Sequence, residues 1–236
     1  MSSITLIIPA LNEGANLAET VHEVLPSTEK WFKDYEILLF DDGSTDTTGD
    51  VADRLAKENN RIKVTHNPSP FGLGYNYKKG VKMAQKDYVL LVPGDNDILK
   101  ESFEKLFEKA GQSDILLCYT DNLHIRPLGR KILSRSFTHM MNFLFGLHLR
   151  YFNGIVLHRR ELIQSIVIKT DSFAYQAEAL IKLIRKGHSY LQVPQYIRER
   201  RYGRSKALYP KNIWRVLKAV AGLWYEVFLS GNAAKG

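Results

Sequence analysis

A single cysteine, Cys118, stands in the chain, so no disulfide can close within its 236 residues, and a reducing compartment is expected. It ends the apolar run Asp114-Ile115-Leu116-Leu117-Cys118 and reads as core filler. No stretch reaches the roughly 18 uninterrupted apolar residues of a spanning helix. The first residues, Met1-Ser2-Ser3-Ile4-Thr5-Leu6-Ile7-Ile8-Pro9, lack the basic flank and long apolar centre of a signal peptide, so a cytoplasmic location is expected. Internal repeats, low-complexity segments and flexible linkers are also missing. So are complete glycine fingerprints for phosphate. Phe71-Gly72-Leu73-Gly74 has Tyr77 where a dinucleotide motif needs its third glycine, and Val81 follows Gly80 where a Walker loop needs lysine. Gly72 and Gly74 more simply allow close backbone approach to a ligand or open a helix.

The balance of 33 Lys and Arg against 25 Asp and Glu gives a formal charge of +8, which favours anionic partners: nucleotides, phosphates, acidic lipid or nucleic acid. With 44% hydrophobic and 25% charged residues, the chain is ordinary globular material for one domain. Strand-length apolar runs fall near 4–8, 36–40, 61–65, 87–92 and 114–118, with helical periodicity near 15–25, 47–58, 74–85 and 100–109. This alternation predicts a largely parallel sheet with helical crossovers. Pro26 is expected to close the first helix, and Asp46 to Asp50 to cap the second. Beyond a polar stretch, 119–130, the pattern predicts a helix over 131–149, strands over 151–157 and 189–193, and a helix over 174–186 between them. That region reads as an elaboration of the same sheet.

Two of the strand-like runs end in acids. Ile37-Leu38-Leu39-Phe40 leads into Asp41-Asp42-Gly43-Ser44-Thr45-Asp46, and Tyr88-Val89-Leu90-Leu91-Val92 into Pro93-Gly94-Asp95-Asn96-Asp97. In open α/β sheets ligands bind outside the carboxyl ends of the strands, so the two clusters can converge on one site. Asp95 and Asp97, two residues apart on an extended turn, offer hard oxygen donors for Mg²⁺ or Mn²⁺, which would neutralise a diphosphate. The first pair can hydrogen-bond a base or ribose, or simply cap a helix. Downstream, Arg198, Arg200, Arg201, Arg204 and Lys206 crowd around Gly203, a pattern suited to phosphate oxygens.

Near the end of the chain Ile213, Val216, Leu217, Val220, Leu223, Trp224, Val227 and Phe228 keep helical spacing, with Lys211, Arg215 and Lys218 in the first turns. Such an amphipathic helix suits a membrane interface; docking on the protein's own core or on a second subunit is the competing reading. The predicted helix 131–149 has a similar look, with Phe137, Met140, Met141, Phe143, Leu144 and Phe145 between basic ends.

In order, I-I-P-A-L-N-E, D-D-G-S-T-D, G-L-G, the D-N-D turn and R-E-R-R-Y-G-R-S-K resemble the inverting GT-A glycosyltransferases of family two. Within that family the chain looks most like the dolichyl-phosphate mannose synthase branch and its bacterial polyprenyl-phosphate relatives. The resemblance implies an α/β GT-A catalytic domain over 1–206, Rossmann-like with a mostly parallel sheet flanked by helices, and an amphipathic segment over 207–236 for which a membrane interface is one of the readings above. It also implies a nucleotide-diphosphate sugar donor, Mg²⁺ or Mn²⁺, a polyprenyl (dolichyl or undecaprenyl) phosphate acceptor and a position on the cytosolic membrane face. By position, Pro9, Asn12 and Glu13 would line the nucleotide pocket with Gly72, Asp41 or Asp42 would meet base or ribose, and Asp95 and Asp97 would hold metal and diphosphate. Arg200, Ser205 and Lys206 match the basic phosphate-binding turn.

Three positions depart from the branch: D-N-D replaces D-A-D, Arg150 replaces an acid before Asn153-Gly154, and Gln176 replaces a carboxylate two residues before Glu178. A phosphate monoester acceptor is largely anionic at neutral pH, its second pKa being about 6, and needs no general base. Arg126 and Arg150 are candidates for the acceptor phosphate on charge, with Asn153 beside them. A family-two transferase to a glycan or small-molecule hydroxyl, with Glu178 as base, is the alternative enzyme. A non-catalytic nucleotide-sugar-binding subunit is the alternative from another class, and a homo-oligomer or a separate membrane subunit remains open. Nucleic acid is disfavoured, because the cations gather beside an acidic crevice rather than along a groove.

Overall fold

The computed structural model describes residues 2–198 and 209–229. In chain order the elements are β1 (Ser3–Ala10), α1 (Leu17–Trp31), β2 (Asp34–Asp41), α2 (Thr48–Glu58), β3 (Ile62–His66), α3 (Leu73–Met83), β4 (Tyr88–Leu91) and α4 (Lys100–Glu108). They continue as β5 (Ile115–Thr120), α5 (Leu128–Phe145), β6 (Val156–Arg159), α6 (Arg160–Gln164), α7 (Tyr175–Arg185), β7 (Tyr190–Gln195) and α8 (Pro210–Phe228). The strands form one sheet in the order β3-β2-β1-β4-β6-β5-β7. All run parallel except β6, which pairs antiparallel with both β4 and β5.

Inner strands covered on both faces are buried at nearly every position, as β1 and β2 are, with runs such as Leu6-Ile7-Ile8 and Ile37-Leu38-Leu39-Phe40 at their centres. Side chains alternate between the faces. Ile4, Leu6 and Ile8 of β1 and Ile37 and Leu39 of β2 pack beneath α1, α2 and α4. Ile7, Leu38 and Phe40 turn the other way, toward Tyr77 of α3, Phe145 of α5, Leu180 of α7 and Leu223 of α8. Each such side chain contributes roughly 1.5–3 kcal/mol by leaving water. Cys118 is buried in the first of these layers, where burial pushes its thiol pKa up, as core filler requires.

Pro26 does not end the first helix; it lies inside α1. Its ring sits on the exposed face, so the missing N–H falls on the solvent side, while Val24, Ser27 and Thr28 keep the opposite face buried. The helix expected over 131–149 begins three residues earlier and stops at Phe145, where Gly146 adopts a left-handed cap. The strand expected over 151–157 is shorter and later, because the Phe152 and Gly154 carbonyls accept from the Gln176 side chain and the Ile155 N–H donates to the Gln195 side chain instead of joining a ladder. The short α6 has no counterpart in the sequence reading. Asp46 does cap α2, its Oδ1 accepting the N–H of Thr48 at 3.0 Å.

The sheet order places β2 and β3 on one side of β1 and β4 on the other, so the chain reverses direction of travel at the β1/β4 boundary. That is where a doubly wound sheet opens its ligand crevice. The Gly94 N–H donates to the Pro9 carbonyl at 3.1 Å, fixing the acidic turn against the end of β1.

Candidate active site

A cleft of about 1220 Å³ opens at that boundary. Its floor is the end of β1 with Pro9, Ala10, Leu11 and Glu13; Asp42 and the Pro70–Leu73 segment form one wall, and Gly94 and Asp95 another. Asp42 is buried, and its carboxylate organises that first wall: Oδ1 accepts from Asn67 Nδ2 and from the Phe71 N–H, and Oδ2 accepts from the Gly72 N–H at 2.9 Å. Gly72 has φ +98, a conformation that a side chain would strain, so glycine is required where the backbone turns into α3.

Asn12 and Asp41 stand just behind the cleft. Asn12 is exposed, in a left-handed conformation (φ 57); its N–H donates to Ser44 Oγ and its Oδ1 accepts the Thr45 N–H at 2.9 Å, tying the end of β1 to the acidic loop. Asp41 accepts from the Ser44 N–H and from His66 Nδ1 at 3.0 Å, and the other ring nitrogen of His66 lies 3.1 Å from Asp53. Burial pushes the Asp41 pKa up, but hydrogen bonds from Ser44 and His66 outweigh it and leave a net lowering. The bond to Asp41 raises that of His66.

The acidic turn is not the extended run expected from sequence. Asn96 sits in the left-handed region (φ 51), with its amide donating to Glu19 at 2.9 Å. Asp95 consequently lines the cleft, while both Asp95 and Asp97 line a second cavity of about 610 Å³. Among the described residues no three His, Cys, Asp or Glu side chains gather as a ligand set. The donor chemistry still fits Mg²⁺ or Mn²⁺, since such ions commonly take one or two carboxylates and complete their shell with water and substrate phosphate oxygens.

The second cavity runs between α5 and α8 and is walled mainly by apolar groups, including Leu133, Phe137, Met140, Ile213, Val216 and Leu217. Arg126, Arg130 and Asn153 lie along it with Asp95 and Asp97. Arg126 donates to the Tyr151 hydroxyl at 2.8 Å, and its buried Nε has no hydrogen-bond partner among the described residues. Arg150 is elsewhere, stacked on the Tyr119 ring at 3.5 Å and lining neither space. Gln176, which also lines this cavity, donates to the carbonyls of Phe152 and Gly154.

Glu178 reaches the first cleft, but its carboxylate is committed. One oxygen accepts the Lys169 N–H at 2.9 Å and pairs with Lys182 at 2.7 Å; the other accepts the Thr170 N–H at 3.0 Å. It holds the Lys169–Phe173 loop, a cleft wall that no sequence motif marked. Arg200, Ser205 and Lys206 lie outside the described residues.

A model of the family described as glycosyl transferase family 2 matches residues 5–167. The chain belongs to that family. Among curated family members, a polyprenol monophosphomannose synthase from Mycolicibacterium smegmatis is 30% identical over 217 residues, covering 85% of this chain and 79% of that protein. The glycosyltransferase GlyG of Streptococcus pneumoniae is 30% identical over 111 residues, 47% of this chain, which spans only 36% of that longer protein. In structure, the fold is shared with glucosyl-3-phosphoglycerate synthase from Mycobacterium tuberculosis in complex with phosphoglyceric acid: TM-score 0.73 at 18% identity, over 94% of this chain and 80% of that one. The same enzyme in complex with Mn²⁺, UDP and glucosyl-3-phosphoglycerate superposes with TM-score 0.69 at 18% identity, again over 94% and 80%.

Proposed function

We propose that this family-two glycosyltransferase moves a hexose from a nucleotide-diphosphate sugar to a polyprenyl phosphate, with inversion, at the cytosolic face of a membrane. The observation that carries this reading is the apolar cavity between α5 and α8, which meets the cleft at Asp95 and has Arg126 and Arg130 on its wall. A long hydrocarbon chain fits the apolar walls, and the two guanidinium groups fit a phosphate. The polyprenol monophosphomannose synthase relative supports the same acceptor class.

In this reading the donor lies in the first cleft, over Pro9, Glu13, Asp42 and Gly72, with its diphosphate toward Asp95. Arg200, Ser205 and Lys206 are assigned to the same diphosphate on sequence alone. Mg²⁺ or Mn²⁺ held by Asp95 and Asp97 would stabilise charge developing on the departing nucleoside diphosphate. A phosphate oxygen of the acceptor attacks the anomeric carbon from the opposite side, and the sugar–diphosphate bond breaks. The acceptor is already anionic, so no residue need remove a proton. Gln176 instead fixes the backbone of Phe152 and Gly154 at the cavity wall. The catalytic unit would extend beyond the expected boundary at 206 to include α8, which lines both spaces and leaves its outer face for a membrane; no described helix is long and apolar enough to cross one.

The shared fold with an enzyme whose complexes hold phosphoglyceric acid favours a second reading, transfer to a small phosphorylated acceptor. Against a base-assisted version stands Glu178, whose oxygens are already engaged. Incubation with a labelled nucleotide sugar and both acceptor types, followed by organic extraction, separates the readings. Label in the lipid phase supports the first, and label only in water-soluble product supports the second.

A further inference from the structure

The amphipathic α8 has three faces rather than two. Val220 and Leu223 are buried against the second core layer, and Phe228 stacks near Phe145. Glu226 pins the far end, pairing with Lys169 at 3.0 Å and Lys182 at 3.1 Å. A second face, bearing Trp214, Leu217 and Trp224, is exposed or half-exposed. The third follows the spacing Arg215, Lys218, Ala219, Gly222, Glu226 and lines the donor cleft opposite Asp42 and Asp95.

The cations of that third face have no evident structural task. The cleft also holds Lys169, but Lys169 is spent on Glu226. Neither Arg215 nor Lys218 makes an ion pair or hydrogen bond among the described residues, and both side chains are exposed to the cleft. Gly222, one turn on, leaves open space where a β-carbon would stand. Two cations without a partner among the described residues, one helical turn apart, facing a cleft whose other walls carry Glu13, Asp42 and Asp95, suit a ligand with adjacent negative charges.

We propose that Arg215 and Lys218 bind the diphosphate of the nucleotide-sugar donor, which makes the C-terminal helix a wall of the active site and not only a surface element. This rests on the reading of the first cleft as the donor site. An amphipathic helix read from sequence alone would send these cations to lipid headgroups with Trp214 and Trp224. The folded helix separates the two groups.

The test is calorimetry on the full chain with Mg²⁺, using UDP and GDP and, for comparison, uridine and guanosine. The double variant Arg215→Gln/Lys218→Gln should bind the nucleoside diphosphate at least about tenfold more weakly, while affinity for the matching nucleoside changes less than about twofold. Lys211→Gln, on the same helix but outside the cleft lining, should change neither. The melting temperature should stay put, because both side chains are exposed. Unchanged diphosphate affinity, with loss of co-sedimentation on anionic vesicles, would assign these cations to headgroups and overturn the proposal. Equal losses for nucleoside and nucleoside diphosphate would mean that the helix had merely shifted, which also overturns it. A wild-type chain that binds neither diphosphate would overturn the donor-site reading and, with it, this assignment.

Discussion

The Asp42 carboxylate accepts the Gly72 N–H at 2.9 Å, so the residue that most resembles a ligand-reading acid is also the clamp for the loop that walls its cleft. Its other oxygen takes the Phe71 N–H and the Asn67 amide, each at 3.0 Å. Asp42→Ala leaves these donors unpaired in a buried place. We expect a loss of about 2–4 kcal/mol in stability, or roughly 5–15 °C in a thermal melt, together with weaker nucleotide binding. An unchanged melt would show that water replaces the carboxylate without cost.

His66, held between Asp41 and Asp53, should make stability fall with rising pH. Its pKa is raised in the folded protein, so its contribution is full below the unfolded value of about 6.5 and is lost as pH rises through the higher folded value. Asp41 behaves oppositely: its lowered pKa gives stability above about 4 that is lost as the solution is acidified through the folded value. His66→Gln should therefore flatten the stability profile between about pH 6 and 8. Denaturant midpoints across that range measure it, and parallel profiles for both proteins would refute the assignment.

Glu178→Gln should act on the fold more than on the chemistry. The substitution breaks a pair in which both side chains are largely buried and weakens the clamp on Lys169 and Thr170. Removing one partner of such a pair costs about 3–5 kcal/mol. Transfer per folded molecule should be retained, with an unaltered pH profile. A normal melt with an acid limb missing from the pH–rate profile would restore the base role.

The position of the candidate cleft was legible because acids at the ends of apolar runs are a pattern that folding must resolve in one place. Asp42 and Asp95 come together because β1 lies between the strands that carry them. The direction of β6 was not legible, since an apolar run carries no sign of parallel or antiparallel pairing. Nor were the roles of Asn12 and Asp41 separable from those of Glu13 and Asp42: neighbouring polar residues at a strand end differ by which way one turn points them. Helical spacing announces α8, yet it cannot tell which stripe faces the cleft, so Arg215 and Lys218 read with Lys211 as the cations of an interfacial helix. The loop at Lys169 carries no motif and becomes a wall only through Glu178 and Glu226.

The outer face of α8 gives a separable membrane test. Trp214 is 71% exposed and Trp224 37%. The double change Trp214→Ser/Trp224→Ser should lower co-sedimentation with anionic vesicles several-fold while leaving nucleotide binding intact. Leu223→Ala, at a buried position, should instead lower stability by about 2–3 kcal/mol. Vesicle binding that survives the double tryptophan change would remove α8 from the membrane contact.

The central claim is tested most directly by following label from a nucleotide sugar into polyprenyl phosphate, polyprenol and a small phosphorylated acceptor, with Asp95→Asn beside the wild type. We expect metal-dependent label in polyprenyl phosphate alone, lost in chelator and reduced by several kcal/mol of transition-state stabilisation, a hundredfold or more, in the variant. Label that enters only the small acceptor, or lipid transfer that persists at full rate in excess chelator, would contradict it.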